Sequence, residues 1–271
     1  MKFALLVVGD EILGGKRADK HLPKVIELLA ARGLSLSWAR YVGDDPVHIA
    51  ADLKDAFASG DVVFSCGGIG ATPDDQTRQA AAQALGVPLA LHPQARALIT
   101  ERMRDTAAEQ GVPFEPDHPD NLHRLNMGVV PVGAHIIPNP YNKIPGFWVA
   151  SPAGGRGGVF FTPGFPVMAW PMIEWVLDTH YADLFRARGV SERSVIVLGG
   201  LEATLTPLML RIEADFAGIK VFSLPSVDHP EWGRHIELGV KGDSALLDAA
   251  YAALLAGLRT HGVRLGPELV R

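Results

Sequence analysis

With 271 residues, 48% of them hydrophobic and 20% charged, the chain has the composition of an ordinary globular protein, enough for one large domain or a main domain and a small one. A net charge of −5 excludes a strongly basic nucleic-acid face and gives no attraction to anionic membranes. The single cysteine, Cys66, excludes an intrachain disulfide, no apolar run approaches the ~20 residues that cross a bilayer, and "MKFALLVVGDEI" turns acidic too soon for a signal peptide, so the expectation is a cytoplasmic protein.

The first segment, residues 3–8 ("FALLVV"), is a continuous apolar run, the pattern of a strand covered on both faces. A loop over 9–19 carries glycines and mixed charges. Residues 20–33 form a helix with Leu22, Ile26 and Leu29 on one stripe and Gly33 as its stop. Residues 34–42 read as a strand. Residues 44–60 read as a helix, with Asp45 as cap, Pro46 in the first turn, and Ile49, Leu53 and Phe57 recurring every four residues. A buried strand over 61–66 leads into "CGGIGATPDDQT", and a helix follows over 72–86, capped by Thr72 with Pro73 at its first position.

A further helix spans 92–111, and 112–120 reads as an irregular connection. Residues 144–152 and 158–166 form a hairpin around "AGGRGG", followed by a helix over 167–181. A short polar stretch at 187–193 suggests a domain boundary. Beyond it come a strand (194–200), a helix (203–217), two strands (219–225 and 234–242) and a helix (243–262), a small β-α-β-β-α unit. Alternating strands and helices in the first part predict a parallel sheet with helices on both faces and a ligand site beyond the carboxyl ends of its strands.

Two acid-glycine stretches follow strands directly, residues 9–15 and 67–75. One reading of the second is structural: glycines for a tight turn, Thr72 as cap, Asp74 and Asp75 at the positive end of a helix. The other is chemical. Gly67, Gly68 and Gly70 cradle a phosphate, while Asp74 and Asp75, assisted by Asp10 and Glu11, share a divalent cation such as Mg²⁺ with its oxygens. Asp74 or Asp75 serves as the catalytic base in that arrangement. Lys16 and Arg17 stand just beyond.

The sequence "GGRGG" at 154–158 leads into a strand and not a helix, so it reads as a hairpin turn. No Gly-Lys-Ser/Thr loop, helix-opening GxGxxG or GxSxG elbow occurs. His229 and His235 have neither helical metal spacing nor a zinc-finger pattern, and Cys66 reads as a packing residue.

The stretches "GDEILGGKRAD", "VGDDPVHIAADLKDAF", "DVVFSCGGIGATPDDQTRQAAAQALG", "NPYNKIPGFWV" and "FFTPGFPVMAWPM" stand in an order and spacing that resemble the molybdopterin-binding (MoaB/Mog-like) domain family. Residues 1 to about 180 are most similar to the N-terminal region of its competence/damage-inducible, CinA-type members. The resemblance implies a three-layer α/β/α fold with a mostly parallel sheet over residues 1–186 and a small α+β domain over 187–271.

It also implies a site for molybdopterin or an adenine nucleotide, built from Gly9, Gly67, Gly68, Gly70 and Thr72 and from the turn Pro163, Gly164 and Pro166. Mog-type members adenylylate molybdopterin with Mg²⁺, and CinA-type members cleave the pyrophosphate of ADP-ribose with a metal. Both act at a phosphate anhydride, and members assemble as dimers or trimers.

Three departures stand out. Ala71 replaces a proline, Asn142-Lys143-Ile144 precedes Pro145-Gly146 in place of the usual turn, and Val167-Met168-Ala169 replaces Ser-Glu-Met. The last motivates an alternative, a non-catalytic binding or sensor protein.

Overall fold

The computed structural model describes residues 1–185 and 190–270, in two units, Met1–Phe185 and Arg186–Arg271. The polar stretch expected at 187–193 lies partly outside the described residues.

In the first unit, β1 (Phe3–Val8) leads through the short α1 (Asp10–Leu13) to α2 (His21–Ala30) and β2 (Leu36–Val42). Next come α3 (Pro46–Ser59), β3 (Val62–Cys66) and α4 (Thr77–Leu85). An excursion from the sheet follows: β4 (Leu89–Leu91), α5 (Pro93–Glu109), α6 (Pro119–Arg124), a 3₁₀ turn (Leu125–Gly128) and β5 (Val129–Pro131), with β4 and β5 paired antiparallel. The chain returns through β6 (His135–Ile137), β7 (Gly146–Ala150), β8 (Gly158–Thr162) and α7 (Pro166–His180).

The main sheet has the order β2-β1-β3-β8-β7-β6, with β2, β1, β3 and β8 parallel and β7 antiparallel to both its neighbours. Side-chain alternation along β1 explains the three layers. Ala4, Leu6 and Val8 pack with α3 and α4, through Ile49, Leu53, Phe57 and Ala80. Phe3, Leu5 and Val7 pack with α2 and α7, through Val25, Leu29, Met172 and Val176. Truncating a fully buried leucine such as Leu29 to alanine costs about 2–5 kcal/mol.

Helix α3 starts as its sequence dictates. The Asp45 carboxylate accepts the N–H groups of Val47 and His48 at 2.8 and 3.0 Å, and Pro46 fills the first turn. Two expectations need correction. Helix α2 buries His21, Val25, Leu28 and Leu29, while Ile26 is 48% exposed, because the sheet captures a stripe rotated from the expected one. Helix α4 begins at Thr77 and not at Pro73, for a reason set out with the site.

The hairpin around "GGRGG" forms as expected, between β7 and β8. In the second unit, β9 (Val190–Leu198), α8 (Glu202–Asp215), β10 (Lys220–His229), β11 (Gly233–Asp243), α9 (Ser244–Thr260) and β12 (Arg264–Val270) build an antiparallel sheet ordered β10-β11-β9-β12. Helices α8 and α9 cover one face through Leu205, Leu208, Ile212, Leu247 and Leu254. The expected β-α-β-β-α cycle is present, with β12 added as an edge strand on β9.

Candidate functional site

Because β1, β2, β3 and β8 run parallel in register, Val8, Val42, Cys66 and Thr162 end at one edge of the sheet. The loops that follow them begin at Gly9, Gly43, Gly67 and Pro163, so both acid-glycine stretches and the Pro163–Pro166 turn meet at that edge.

The glycines answer first to crowding by the protein itself. Gly67 has φ 110° and its N–H donates to the Thr162 carbonyl at 3.0 Å; a Cβ there would overlap the Val8 carbonyl oxygen. Gly68, at φ 68°, accepts the Thr77 N–H at 3.0 Å, and a Cβ there would overlap the Thr77 hydroxyl. That hydroxyl donates to the Gly67 carbonyl at 3.1 Å. The expected cap at Thr72 is instead an interaction inside the loop. Asp75 Oδ2 accepts the Thr72 N–H at 2.9 Å and the Thr72 hydroxyl at 2.5 Å. This closes a turn ahead of the helix, with the Asp75 carboxylate lying over Gly70. Asp74 stays fully exposed, and the Thr72 hydroxyl and its own backbone N–H hold its carboxyl below the usual range.

A second acidic group faces this loop. The Asp10 N–H donates to Asp44 Oδ2 at 3.0 Å and the Asp44 N–H to Asp10 Oδ1 at 3.2 Å, with the Glu11 carboxylate folded against Gly9. Burial, and then the charges of Asp10, Glu11 and Asp74, push the half-buried Asp44 carboxyl up. Among the described residues, no three His, Cys, Asp or Glu side chains form a preassembled metal cage.

Across the edge, Gly164 stands against Gly67, and its carbonyl accepts His21 Nε2 at 3.0 Å. His21 is buried, with the Cys66 sulfur beside it. Burial opposes the imidazolium, but the Cys66 sulfur, the Gly164 carbonyl and Asp19 together outweigh it and push His21 up to about 9. A cavity of about 340 Å³ opens here, lined by Glu11, Arg17, Lys20, His21, Gly164 and Pro166 among others. Its lip is apolar: Phe165 is 55% and Val167 51% exposed.

Residues 4–182 match the family described as "Probable molybdopterin binding domain". The chain belongs to that family. A CinA-like protein of Syntrophotalea carbinolica is 32% identical over 166 residues, 61% of this chain and 37% of the relative, so the chain spans well under half of that relative's length. A relative from Pyrobaculum calidifontis is 30% identical over 239 residues, covering 86% of this chain and 85% of its own. The crystal structure of the CinA protein from Thermoplasma acidophilum, of unknown function, superposes with a TM-score of 0.54 at 25% identity, over 66% of this chain and 98% of that one.

In this molybdopterin-binding domain, the anticipated residues meet at one sheet edge, but Asp10, Gly67, Gly68, Gly70, Asp74 and Asp75 line neither of the two cavities nearby. Glu11, Gly164 and Pro166 line the cavity described above, and Thr72 lines another of about 280 Å³. Sequence reasoning missed Asp44 and His21. Asp44 follows β2 as Asp10 follows β1, a signal masked by its neighbour Asp45, which reads as a helix cap. His21 sits at the first residue of α2 and nothing local marks it.

Proposed function

We propose that this domain binds a phosphorylated pterin or an adenine nucleotide with a divalent cation and acts at a phosphate anhydride, by pyrophosphate hydrolysis or adenylyl transfer. The observation carrying this reading is the negative charge gathered around Asp44, whose carboxyl is pushed up by burial and by Asp10, Glu11 and Asp74. A crowded set of hard oxygen donors beside a glycine loop calls for a cation, and oxygen donors are the set Mg²⁺ prefers.

Asp10, Glu11, Asp74 and Asp75 would hold the ion together with phosphate oxygens. Mg²⁺ uses one or two carboxylates, substrate phosphates and retained waters, so the lack of a preassembled cage is compatible with it. When bound, the cation neutralises charge developing on the anhydride oxygens. The remaining work falls to the chain. The loop from Gly67 to Gly70, fixed by Val8, Thr77 and Thr162, offers a rigid cradle for a phosphate. Asp75 is held by Thr72 and shapes the loop. Asp74, exposed and held ionised by the Thr72 hydroxyl and its own backbone N–H, accepts a proton from the attacking water or phosphate.

Calorimetry and turnover assays with ADP-ribose, ATP and molybdopterin, with and without Mg²⁺, test this. Asp75→Asn is expected to weaken both metal-dependent binding and turnover; if both are unchanged, the site assignment is wrong.

A second reading, a binding or sensor protein without turnover, is favoured by the lip. Exposed Phe165 and Val167 make the lip apolar, beside a Met168 sulfur that accepts from Asn142 Nδ2 at 3.3 Å. Tight binding without turnover of any of the three compounds supports it, and turnover removes it.

A further inference from the structure

Arg78 is buried, only 5% exposed, and among the described residues no carboxylate lies within ion-pair distance of it. Its Nη2 donates to the Gly70 carbonyl at 2.7 Å, its Nη1 to the Asn126 carbonyl, and its Nε has no partner. Among the described residues it makes no ion pair; the acid nearest in influence is Asp75, which is bonded to Thr72. Two carbonyls satisfy two donors but supply only dipoles, and a buried guanidinium without an opposite charge is expensive.

Arg78 also lines the cavity of about 280 Å³, beside Thr72, Gln76, Gln79, His123 and Asn126, and no carboxylate lines that cavity. His123 fixes the wall. Its Nε2 donates to the Ala71 carbonyl at 2.9 Å, and Asn126 Nδ2 lies 3.4 Å from its Nδ1. The lining therefore combines one buried cation, amide and hydroxyl donors and an apolar floor at Leu89 and Val129. It shares no lining residue with the cavity that holds Arg17, Lys20 and His21.

We propose that this second cavity is an anion subsite in which Arg78 receives a phosphoryl group of the ligand. The choice of a phosphoryl group over a carboxylate rests on the function proposed above. Arg78 supplies the charge, Gln76, Gln79 and Thr72 supply directional donors, and the apolar floor takes the body to which the phosphoryl is attached. The domain then offers two separate cationic cavities, and the ligand that suits it carries anionic groups at two points.

Inorganic pyrophosphate is the probe, titrated calorimetrically into the full chain in EDTA-containing buffer, so that no metal and no turnover enter the measurement. Gln79→Glu, at an exposed position, brings a carboxylate to the cavity. It is expected to weaken pyrophosphate binding by about tenfold or more and to raise the melting temperature of the anion-free protein. Arg78→Gln is expected to weaken binding at least as much; because it also removes the bonds to the Gly70 and Asn126 carbonyls, Gln79→Glu is the deciding variant. Equal pyrophosphate affinity in Gln79→Glu and the parent chain overturns the proposal. So does binding lost in Lys20→Glu but kept in Gln79→Glu, which puts the anion in the other cavity, and so does no metal-free binding at all. Loss of binding in Gln79→Glu upholds the subsite even where no compound is turned over, so its failure and that of the proposed function are separable.

Discussion

Asp10 and Asp44 hold each other by their backbones: each accepts the other's N–H, at 3.0 and 3.2 Å, so two like charges are fixed side by side at the ends of β1 and β2. Neither carboxylate can swing away without giving up a hydrogen bond. The repulsion is built into the loop geometry, which is why the function proposed above places a cation there.

Asp44→Asn keeps an oxygen for the Asp10 N–H while removing the charge. The carboxyl of Asp44 is raised above its ordinary 3.8 in the folded chain, so its protonated form supports folding and that support is lost as pH rises through the folded value. The variant is expected to melt about 1–3 °C above the parent at pH 7, with the difference vanishing near pH 3. Stabilisation of the parent by millimolar Mg²⁺ should shrink in the variant. Scanning calorimetry at both pH values checks this, and an unchanged melting temperature at pH 7 contradicts it.

His21 works in the opposite sense. Its folded value of about 9 lies above the ordinary 6.5, so its contribution is full below pH 6.5 and lost as pH rises through 9. His21→Gln is expected to be less stable than the parent at pH 6 by roughly 2–3 kcal/mol and to approach it near pH 10. Urea unfolding from pH 6 to 10 reads this out; a gap independent of pH shows that the imidazole contributes packing alone.

Gly67→Ala combines a left-handed backbone with overlap against the Val8 carbonyl, and neither neighbour is a side chain that can rotate away. A loss of at least about 3 kcal/mol is expected, enough to abolish ordered ligand binding. Measuring soluble yield and melting temperature decides it: an alanine variant as stable as the parent refutes the crowding argument.

Asp19 accepts the N–H groups of His21 and Leu22 at 2.8 and 3.0 Å and the Tyr41 hydroxyl at 2.8 Å. Asp19→Ala is expected to cost about 1–2 kcal/mol through the exposed start of α2. It should also shift one tyrosine in an ultraviolet pH titration, because burial and then Asp19 push Tyr41 up to about 12. A titration identical to the parent's argues against that bond.

The sheet was legible where the physics is local. Continuous apolar runs mark β1 and β3, Asp45-Pro46 marks the start of α3, and "GGRGG" between apolar runs marks the β7–β8 hairpin. The start of α4 was not, since Thr72-Pro73-Asp74-Asp75 carries every sign of a helix cap; the tertiary bonds of Thr77 to Gly67 and Gly68 delay the helix by four residues. Three-residue strands such as β4, β5 and β6 are too short to show any period; β4 and β5 form because the excursion folds back on itself, and β6 because β7 pairs with it. At the site, the glycines and acids declared themselves, but Asp44, His21 and Arg78 did not. Their meaning lies in what faces them from other elements, and one strand's sequence does not contain that.

The buried thiol has a practical consequence. Cys66 is 1% exposed at the end of β3, facing the layer of α2 and α7 beside His21. A disulfide reagent can reach it only when that layer parts, so its reaction rate is a native stopwatch for breathing at the site's edge, obtained without attaching a dye. Slower labelling in the presence of a candidate compound would register engagement of the His21 flank, and the compound's chemistry need not be known in advance.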